Sequence, residues 1–269
     1  MTDKKNGPLI AIGGHEDKEG KRLILHAIAE RLDRGRLVIA TIASHEPEGY
    51  FDAYREAFAA LGVTDLVELY VDDRAEANEP AHKALIDGAA GIFFTGGDQL
   101  RIVSQLGDTP LETAVRDLHA RGGVIAGTSA GASAQSETML IGGSDGESYR
   151  IGELHMAPGL GLIPGVIIDQ HFAERGRIGR LLGAVAHNPR ILGIGIDEDS
   201  AIVVEGQSFT VIGSGAVTIV DAEHVTRSNI AEAKPQRVLS IYNVTLHALS
   251  AGDGFDLATR KPCSPRDED

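Results

Sequence analysis

The 269-residue sequence is poor in cysteine, in basic charge and in long apolar runs. Its single cysteine, Cys263, excludes an internal disulfide, and its position in the polar stretch RKPCSPRDED argues against a catalytic thiol. No apolar window approaches the length of a membrane span, and no apolar signal core follows the N-terminus. We therefore expect a cytoplasmic protein without a membrane partner.

Basic residues are outnumbered, with 25 Lys and Arg against 39 Asp and Glu. The resulting net charge of -14 and sequence pI near 5.1 repel a phosphate backbone, and the basic residues form no long run. These features exclude nucleic acid as an expected partner.

Apolar runs and helical patterns alternate through the first half of the chain. The predicted strands are PLIAIGG, RLVIATIAS, DLVELYV, GIFFTGG and GVIAGTS, and the predicted helices span residues 21–34, 50–61, 81–90 and 111–121. Continuous apolar strands separated by helices are typical of a parallel sheet covered on both faces. The sequence thus predicts an α/β fold with a doubly wound, mostly parallel sheet flanked by helices.

After about residue 190 the strands follow one another closely, as RILGIGI, SAIVVEG, SFTVIGSGAVTIV and RVLSIYNVTLHAL. This spacing predicts antiparallel hairpins that extend the same sheet or cover one edge of it. With no repeat and no linker in the sequence, we expect a single domain over residues 7–261. The charged ends, residues 1–6 and 262–269, are expected to be disordered tails.

A serine stands between small residues where a predicted strand ends, in VIAGTSAGASAQS. The G-x-S-x-G pattern formed by Gly127, Ser129 and Gly131 is weak alone, because simple turns share it. Here it follows an apolar strand and precedes a run compatible with a helix, which is the setting of a nucleophile elbow. Ser129 is therefore a candidate nucleophile.

A serine nucleophile needs a base, for which histidine is the usual residue. Four of the ten histidines fall inside helical patterns: His26, His82, His119 and His187. Three others follow apolar strands: His15, His45 and His171. The sequence pattern does not choose among these three.

A glycine turn, GGDQ, ends another buried strand and offers backbone N–H groups to a substrate oxygen. The N–H of Gly97 or Asp98, together with that of Ala130, would form an oxyanion hole. The alternative is an ordinary turn in which Asp98 caps the next helix.

Three arginines in six residues occur in DQHFAERGRIGRL: Arg175, Arg177 and Arg180. In an acidic protein such a group suggests carboxylate binding, since a guanidinium pairs with a carboxylate through two hydrogen bonds, although a solvated basic face is the alternative. Farther along, GIGIDEDSAIVVEG places Asp197, Glu198 and Asp199 after a strand, where one acid would orient the histidine.

Five stretches, in order, resemble the cyanophycinases, a family of serine peptidases related to aspartyl dipeptidases, with a class I glutaminase-like fold. They are IAIGGHEDK, TGGDQLRI, GTSAGASAQS, DQHFAERGRIGRL and GIGIDEDSAI. The resemblance implies Ser129 as nucleophile, His171 as base and Glu198 as orienting acid, with the GGDQ loop as oxyanion hole. It assigns a further set of residues to substrate binding: Gln99, Asp169, Gln170, Arg175, Arg177 and Arg180.

The substrate implied by this resemblance is cyanophycin, a polyaspartate with arginine on each β-carboxyl, which is cut into β-Asp-Arg dipeptides without a cofactor. Arginines would hold the free α-carboxylate of the chain end, and Asp169 or another acid would pair with the substrate guanidinium. A homodimer is expected by resemblance alone.

Other functions stay open at this stage. The nearest is an α-aspartyl dipeptidase that acts on short Asp-X peptides. A nucleotide-binding module is disfavoured, because GHEDKEGKR has Arg22 where a phosphate-binding loop needs Ser or Thr. A metal enzyme built on His15, Glu16 and Asp17 is disfavoured too, since three adjacent residues seldom converge on one ion, and no metal is expected. A non-catalytic relative would commonly lack the nucleophile or base that are present here.

Overall fold

The computed structural model describes residues 6–143, 145, 148–231 and 234–263. The helices are α1 (Leu23–Glu30), α2 (Tyr50–Ala59), α3 (Pro80–Ile86), α4 (Gln99–Leu106), α5 (Pro110–Ala120), α6 (Ala130–Ser133) and α7 (Ile178–His187), with a 3₁₀ turn at Glu76–Asn78. The strands are β1 (Leu9–Ile12), β2 (Leu37–Ala40), β3 (Leu66–Leu69), β4 (Gly91–Phe94), β5 (Val124–Thr128), β6 (Ser136–Gly142), β7 (His155–Pro158), β8 (Ile163–Gln170), β9 (Leu192–Ile196), β10 (Ser200–Glu205), β11 (Ser208–Gly213), β12 (Val217–Asp221), β13 (Arg227–Ser228), β14 (Ile241–Tyr242), β15 (Thr245–Leu249), β16 (Gly254–Asp256) and β17 (Lys261–Cys263).

The five strands predicted in the first half form the parallel part of one sheet, in the order β1, β5, β4, β2, β3. Side chains of β1 alternate between two cores. Ile10 and Ile12 pack with α1 and α2, whereas Leu9 and Ala11 belong to the core that includes α3, α4 and α5. Helices therefore cover both faces, and the predicted α/β class is confirmed.

Antiparallel strands extend this sheet beyond β1, in the order β10, β11, β16, β17, to nine strands within the described residues. The predicted hairpins are present here, as β10 turns directly into β11. The predicted domain end at residue 261 falls inside β17, which continues through Cys263. Of the predicted tails, residues 1–5 and 264–269 lie outside the described residues.

A second sheet has the order β15, β12, β9, β8, β6, β7, and β13 and β14 form a separate two-stranded sheet. The prediction that the strands after residue 190 join the first sheet or one of its edges is thus correct only in part. The run SFTVIGSGAVTIV separates at Gly213, with φ of 111°, into β11 of the first sheet and β12 of the second. β9 pairs in parallel with β8 and antiparallel with β12, and it forms no hairpin with β10, which lies in the first sheet.

The two sheets share one hydrophobic core. Val38 and Phe94 of the first sheet belong to the same buried cluster as Ile168 and Ile219 of the second. On its other face, the second sheet packs against α7, for example through Ile167 of β8. In the part of the chain that the structure describes, no helix is both long and apolar enough to cross a bilayer.

Candidate active site

Ser129 stands in a strained turn directly after β5. Its φ of 51° and ψ of -109° lie outside the regions that residues other than glycine normally adopt. The turn is so tight that a Cβ on Gly127 would lie 2.3 Å from the Gly131 carbonyl oxygen, and one on Gly131 would lie 2.4 Å from that of Phe94. The small residues around the serine are therefore required by close backbone packing, as the elbow pattern predicts.

Ser129, His171 and Glu198 form a continuous hydrogen-bonded chain. Ser129 Oγ lies 3.0 Å from His171 Nε2, and His171 Nδ1 lies 2.6 Å from Glu198 Oε1. The serine follows β5 of the first sheet, while the other two follow β8 and β9 of the second. The chain has the geometry of a nucleophile, a general base and an orienting acid.

The electrostatics of these three hydrogen-bonded residues favour a neutral base, His171, beside a charged acid, Glu198. Burial lowers the pKa of His171 below its usual 6.5, and this effect outweighs the hydrogen bond that His171 donates to Glu198, which acts in the opposite direction. Desolvation alone would raise the pKa of Glu198, but its hydrogen bond to His171 and the charge of His15 hold that pKa below its usual value. At neutral pH, His171 is therefore able to accept a proton.

The three candidate histidines occupy different positions. His45 lies away from Ser129, with Nδ1 3.1 Å from Nη1 of Arg101. His15 is near the site but contacts Glu198, whose Oε2 lies 3.1 Å from its Nδ1, and its side chain is 73% exposed. Only His171 of the three forms a hydrogen bond with Ser129.

Gly14 is a site residue that the sequence analysis missed. It has φ of 112°, and a Cβ at this position would lie 2.3 Å from Cε1 of His171. The His171 ring therefore occupies the space that any other residue would need. The second glycine of IAIGG was the available signal, but the glycine pair alone does not say which side chain it accommodates.

The oxyanion-hole prediction needs one correction. The Asp98 N–H donates to the Ala43 carbonyl oxygen at 2.9 Å, so it is not available to a substrate. The Asp98 side chain accepts the Leu100 N–H at 2.8 Å and caps α4, which was the alternative interpretation. Within the described residues, the N–H groups of Gly97 and Ala130 have no acceptor and stay as candidates.

A polar cavity of about 310 Å³ adjoins Ser129. Its lining includes Gly97 and most of the predicted substrate-binding residues, namely Gln99, Gln170, Arg175, Arg177 and Arg180. Gln99 is fixed by a 2.5 Å hydrogen bond from Nε2 to the Leu140 carbonyl oxygen. Leu140 lies on β6, so the second sheet supplies one wall of the cavity, which the sequence analysis did not foresee.

Asp169 does not have the predicted role of pairing with a substrate guanidinium. Its carboxylate is 1% exposed and accepts hydrogen bonds from Arg180, one of them at 2.7 Å from Nε. It also pairs with Arg177 at 3.4 Å. With its oxygens occupied inside the protein, Asp169 holds the two arginines from behind and is not among the residues that line the cavity.

The three arginines differ in how far protein carboxylates neutralise them. Arg177 and Arg180 are buried and pair with Asp145 as well as Asp169. Arg175 is exposed, and no carboxylate of the described residues forms an ion pair with it. Arg175 is therefore the guanidinium most available to a negatively charged ligand.

The loop that carries His15 does not bring together the three ligands of the disfavoured metal enzyme, namely His15, Glu16 and Asp17. The buried Glu16 carboxylate accepts hydrogen bonds from Thr128 Oγ1 at 2.6 Å and Tyr54 Oη at 2.5 Å. Burial, followed by the Glu16 charge, raises the pKa of Tyr54. Asp17 accepts backbone N–H groups of its own loop. Glu16 thus supports the end of β5 beneath Ser129.

A larger cavity, of about 600 Å³, lies at the opposite end of β1 and includes Gly7, Leu9, Arg116 and His119 in its lining. None of the serines of the described chain lines it, so size does not identify the reactive site here. The smaller cavity is lined by Ser129, the candidate nucleophile, together with three arginines, and His171 contacts the serine.

Comparisons with known proteins identify the family of this chain. A family model described as "Peptidase family S51" matches residues 9–212. A curated cyanophycinase from Nostoc sp. is 41% identical over 257 residues, which cover 94% of this chain and 86% of the relative. Another, from Geminocystis herdmanii, is 40% identical over 266 residues, which cover 97% of this chain and 98% of the relative.

Solved structures share the fold at lower identity. A peptidase from an acI-B1 Actinobacterium superimposes with a TM-score of 0.68 at 22% identity, covering 94% of this chain and 98% of that one. A putative peptidase E from Listeria monocytogenes gives a TM-score of 0.53 at 15% identity, covering 78% of this chain and 100% of that one. These similarities identify the architecture.

Proposed function

This chain belongs to serine peptidase family S51, and we propose that it acts as an exopeptidase that hydrolyses cyanophycin to β-Asp-Arg dipeptides. The observation that carries the proposal is the hydrogen-bonded chain of Ser129, His171 and Glu198 beside an arginine-lined cavity. The curated cyanophycinases at about 40% identity over nearly the whole chain support the choice of substrate.

In the proposed reaction, His171 Nε2 takes the proton of Ser129 Oγ as the oxygen attacks the scissile carbonyl. The tetrahedral intermediate then collapses, the C–N bond breaks, and His171 donates the same proton to the leaving amine. Water, deprotonated by His171, attacks the acyl-enzyme ester and restores the serine. Glu198 holds Nδ1–H throughout and stabilises the imidazolium. No step requires a cofactor.

Stabilisation of the intermediate is assigned to the N–H groups of Gly97 and Ala130. Neither N–H group has an acceptor within the described residues. Ala130 follows Ser129 in the chain, and Gly97 lines the same cavity as Ser129. A donor of this kind contributes about 3–4 kcal/mol to transition-state stabilisation. Asp98 is not part of the proposed oxyanion hole.

Substrate binding is assigned chiefly to Arg175, which is exposed at the cavity and free of an internal ion pair among the described residues. It offers a bidentate contact to a substrate carboxylate. Arg177 and Arg180 line the same cavity, and Asp169 and Asp145 limit their net charge. Gln99 and Gln170 supply neutral polar groups beside them.

The proposal is tested by incubating the purified protein with insoluble cyanophycin while turbidity is recorded and the soluble product is identified by mass. We expect clearing, with β-Asp-Arg as the product. A parallel incubation uses α-linked Asp-X dipeptides. Hydrolysis of these dipeptides without any clearing of cyanophycin would reject the proposal in favour of an α-aspartyl dipeptidase.

The pH dependence of the rate follows from the lowered pKa of His171. Protonated His171 cannot accept the Ser129 proton, so activity falls as the pH drops through that pKa. Because burial holds this pKa below its usual 6.5, we expect kcat/KM for a soluble cyanophycin fragment to exceed half of its maximum at pH 7. The half-maximal point on the acid side should lie below pH 6.5, and a midpoint above that value would contradict a buried, neutral His171.

Two finer features are proposed on the resemblance alone, namely a homodimer and a cytoplasmic location. Sedimentation velocity over a range of protein concentrations measures the first. A mass of one chain at every concentration would reject the dimer.

A further inference from the structure

His15 has no part in the proposed reaction, yet it lies against two residues that do. Its Nδ1 is 3.1 Å from Glu198 Oε2, and its ring centroid is 5.1 Å from that of His171, in an edge-to-face arrangement. The other Glu198 oxygen, Oε1, contacts His171. A carboxylate thus lies between two imidazoles that come from different loops.

These three residues offer ligand atoms that all lie within 4.8 Å of one another. Two imidazoles and one carboxylate form a donor set typical of zinc sites with an open fourth position, at distances of about 2.0–2.2 Å from the ion. Ligand atoms around a tetrahedral zinc ion are separated by about 3.3 Å, so small side-chain movements would suffice. The exposed side of His15 leaves room for water as the fourth ligand.

We propose that His15, Glu198 and Nδ1 of His171 bind a zinc-class divalent cation, and that this binding reversibly switches the enzyme off. The inhibitory part rests on the proposed function, whereas cation binding does not. The site is built from the catalytic base itself, so the ion acts as an inhibitor and not as a cofactor.

The inhibition follows from the tautomer of His171. In the active form, Nδ1–H donates to Glu198 and the Nε2 lone pair faces Ser129. A cation bound to Nδ1 takes the lone pair at that atom, and the single proton of the neutral ring moves to Nε2. Nε2–H cannot accept the Ser129 proton, and the carboxylate that stabilised the imidazolium now binds the ion.

The surrounding charges do not prevent a cation from binding. Arg175 acts on His171 as a nearby positive charge. The Glu174 carboxylate opposes it, since it accepts the Glu198 N–H at 3.2 Å. The net charge of -14 over the whole chain also favours a cation.

Direct binding is measured first, by isothermal titration of EDTA-treated, desalted protein with ZnCl₂. We expect one zinc ion per chain, a dissociation constant raised about tenfold or more in His15→Gln, and no change in His26→Gln. His26 is the matched control, because it is an exposed histidine paired with a single glutamate, Glu30, at 3.6 Å. Magnesium, which prefers oxygen ligands, should not bind at the same concentrations.

Inhibition is measured as the zinc concentration that halves cyanophycin hydrolysis, with each variant compared with its own metal-free rate. EDTA should restore the rate of the parent, and His15→Gln should raise the half-inhibiting concentration about tenfold. Equal zinc sensitivity of the parent and His15→Gln, or loss of zinc binding in His26→Gln, would overturn the proposal.

A substrate-independent measurement separates this proposal from the proposed function. An alkyl fluorophosphonate labels an activated serine, and zinc should slow labelling of Ser129 in the parent but not in His15→Gln. If zinc slows the labelling of Ser129 but the protein does not hydrolyse cyanophycin, the proposed substrate is rejected and the proposed metal site is retained. Labelling that zinc leaves unchanged would reject inhibition through His171.

Discussion

Replacement of Ser129 by alanine is expected to lower the rate of cyanophycin hydrolysis by about 10⁵–10⁶-fold, the scale seen when a serine nucleophile is removed. The acyl-enzyme cannot form without Oγ, and only binding and the oxyanion hole are left to act. Insoluble polymer incubated with the variant should stay turbid, and mass analysis should detect no β-Asp-Arg. Co-sedimentation with the polymer should be retained, because the arginine-lined cavity is unchanged.

Ser133→Ala is the matched control for this prediction. Ser133 lies on the same short helix, α6, and its Oγ donates to the Ile168 carbonyl oxygen at 3.2 Å without facing the cavity. We expect a loss of stability of about 1 kcal/mol and a rate close to that of the parent. Clearing of the polymer by Ser129→Ala at the parental rate would show that another residue is the nucleophile.

Replacement of Asp169 by asparagine is expected to produce the largest loss of stability. The carboxylate is 1% exposed and compensates the buried guanidinium groups of Arg177 and Arg180. Removing one partner of a buried ion pair costs about 3–5 kcal/mol. The partly exposed Asp145 is then the remaining carboxylate, among the described residues, that pairs with the two buried guanidinium groups. For a chain of this size, the melting temperature should fall by on the order of 10 °C, as measured by circular dichroism.

Asp65→Asn provides the comparison, since Asp65 pairs with Arg36 at 3.1 Å on the surface. An exposed pair of this kind contributes at most about 1 kcal/mol, so its loss should shift the melting temperature little. If the two variants melt at the same temperature, Asp169 does not have the structural role assigned to it. A stable Asp169→Asn variant with altered substrate preference would restore its predicted contact with substrate.

The first half of the fold was predictable because its signals are local. Fully buried parallel strands are apolar along their whole length, and β1, β2, β4 and β5 are buried at every position. The turn at Ser129 was visible as a local pattern too, since the small residues around the serine are adjacent in the chain, although the contact that requires Gly131 comes from Phe94 on β4.

The choice of base was not local. His15, His45 and His171 all follow apolar strands. They differ in the position of that strand in the tertiary structure, because His15 and His45 follow strands of the first sheet, whereas His171 follows β8 of the second. The family resemblance indicated His171, and the structure places its Nε2 3.0 Å from Ser129 Oγ. Spacing along the chain carries no such information, because the two residues come from different sheets.

The sequence by itself determined the α/β class and the nucleophile elbow, because both are visible in patterns of neighbouring residues. Only the tertiary structure decided which of these groups are free to act. The Asp98 N–H is occupied by Ala43, and the Asp169 carboxylate by two arginines. In the part of the chain that the structure describes, Arg175 has no carboxylate partner and the N–H groups of Gly97 and Ala130 have no acceptor. Such partners are assigned by packing between distant segments and not by sequence order.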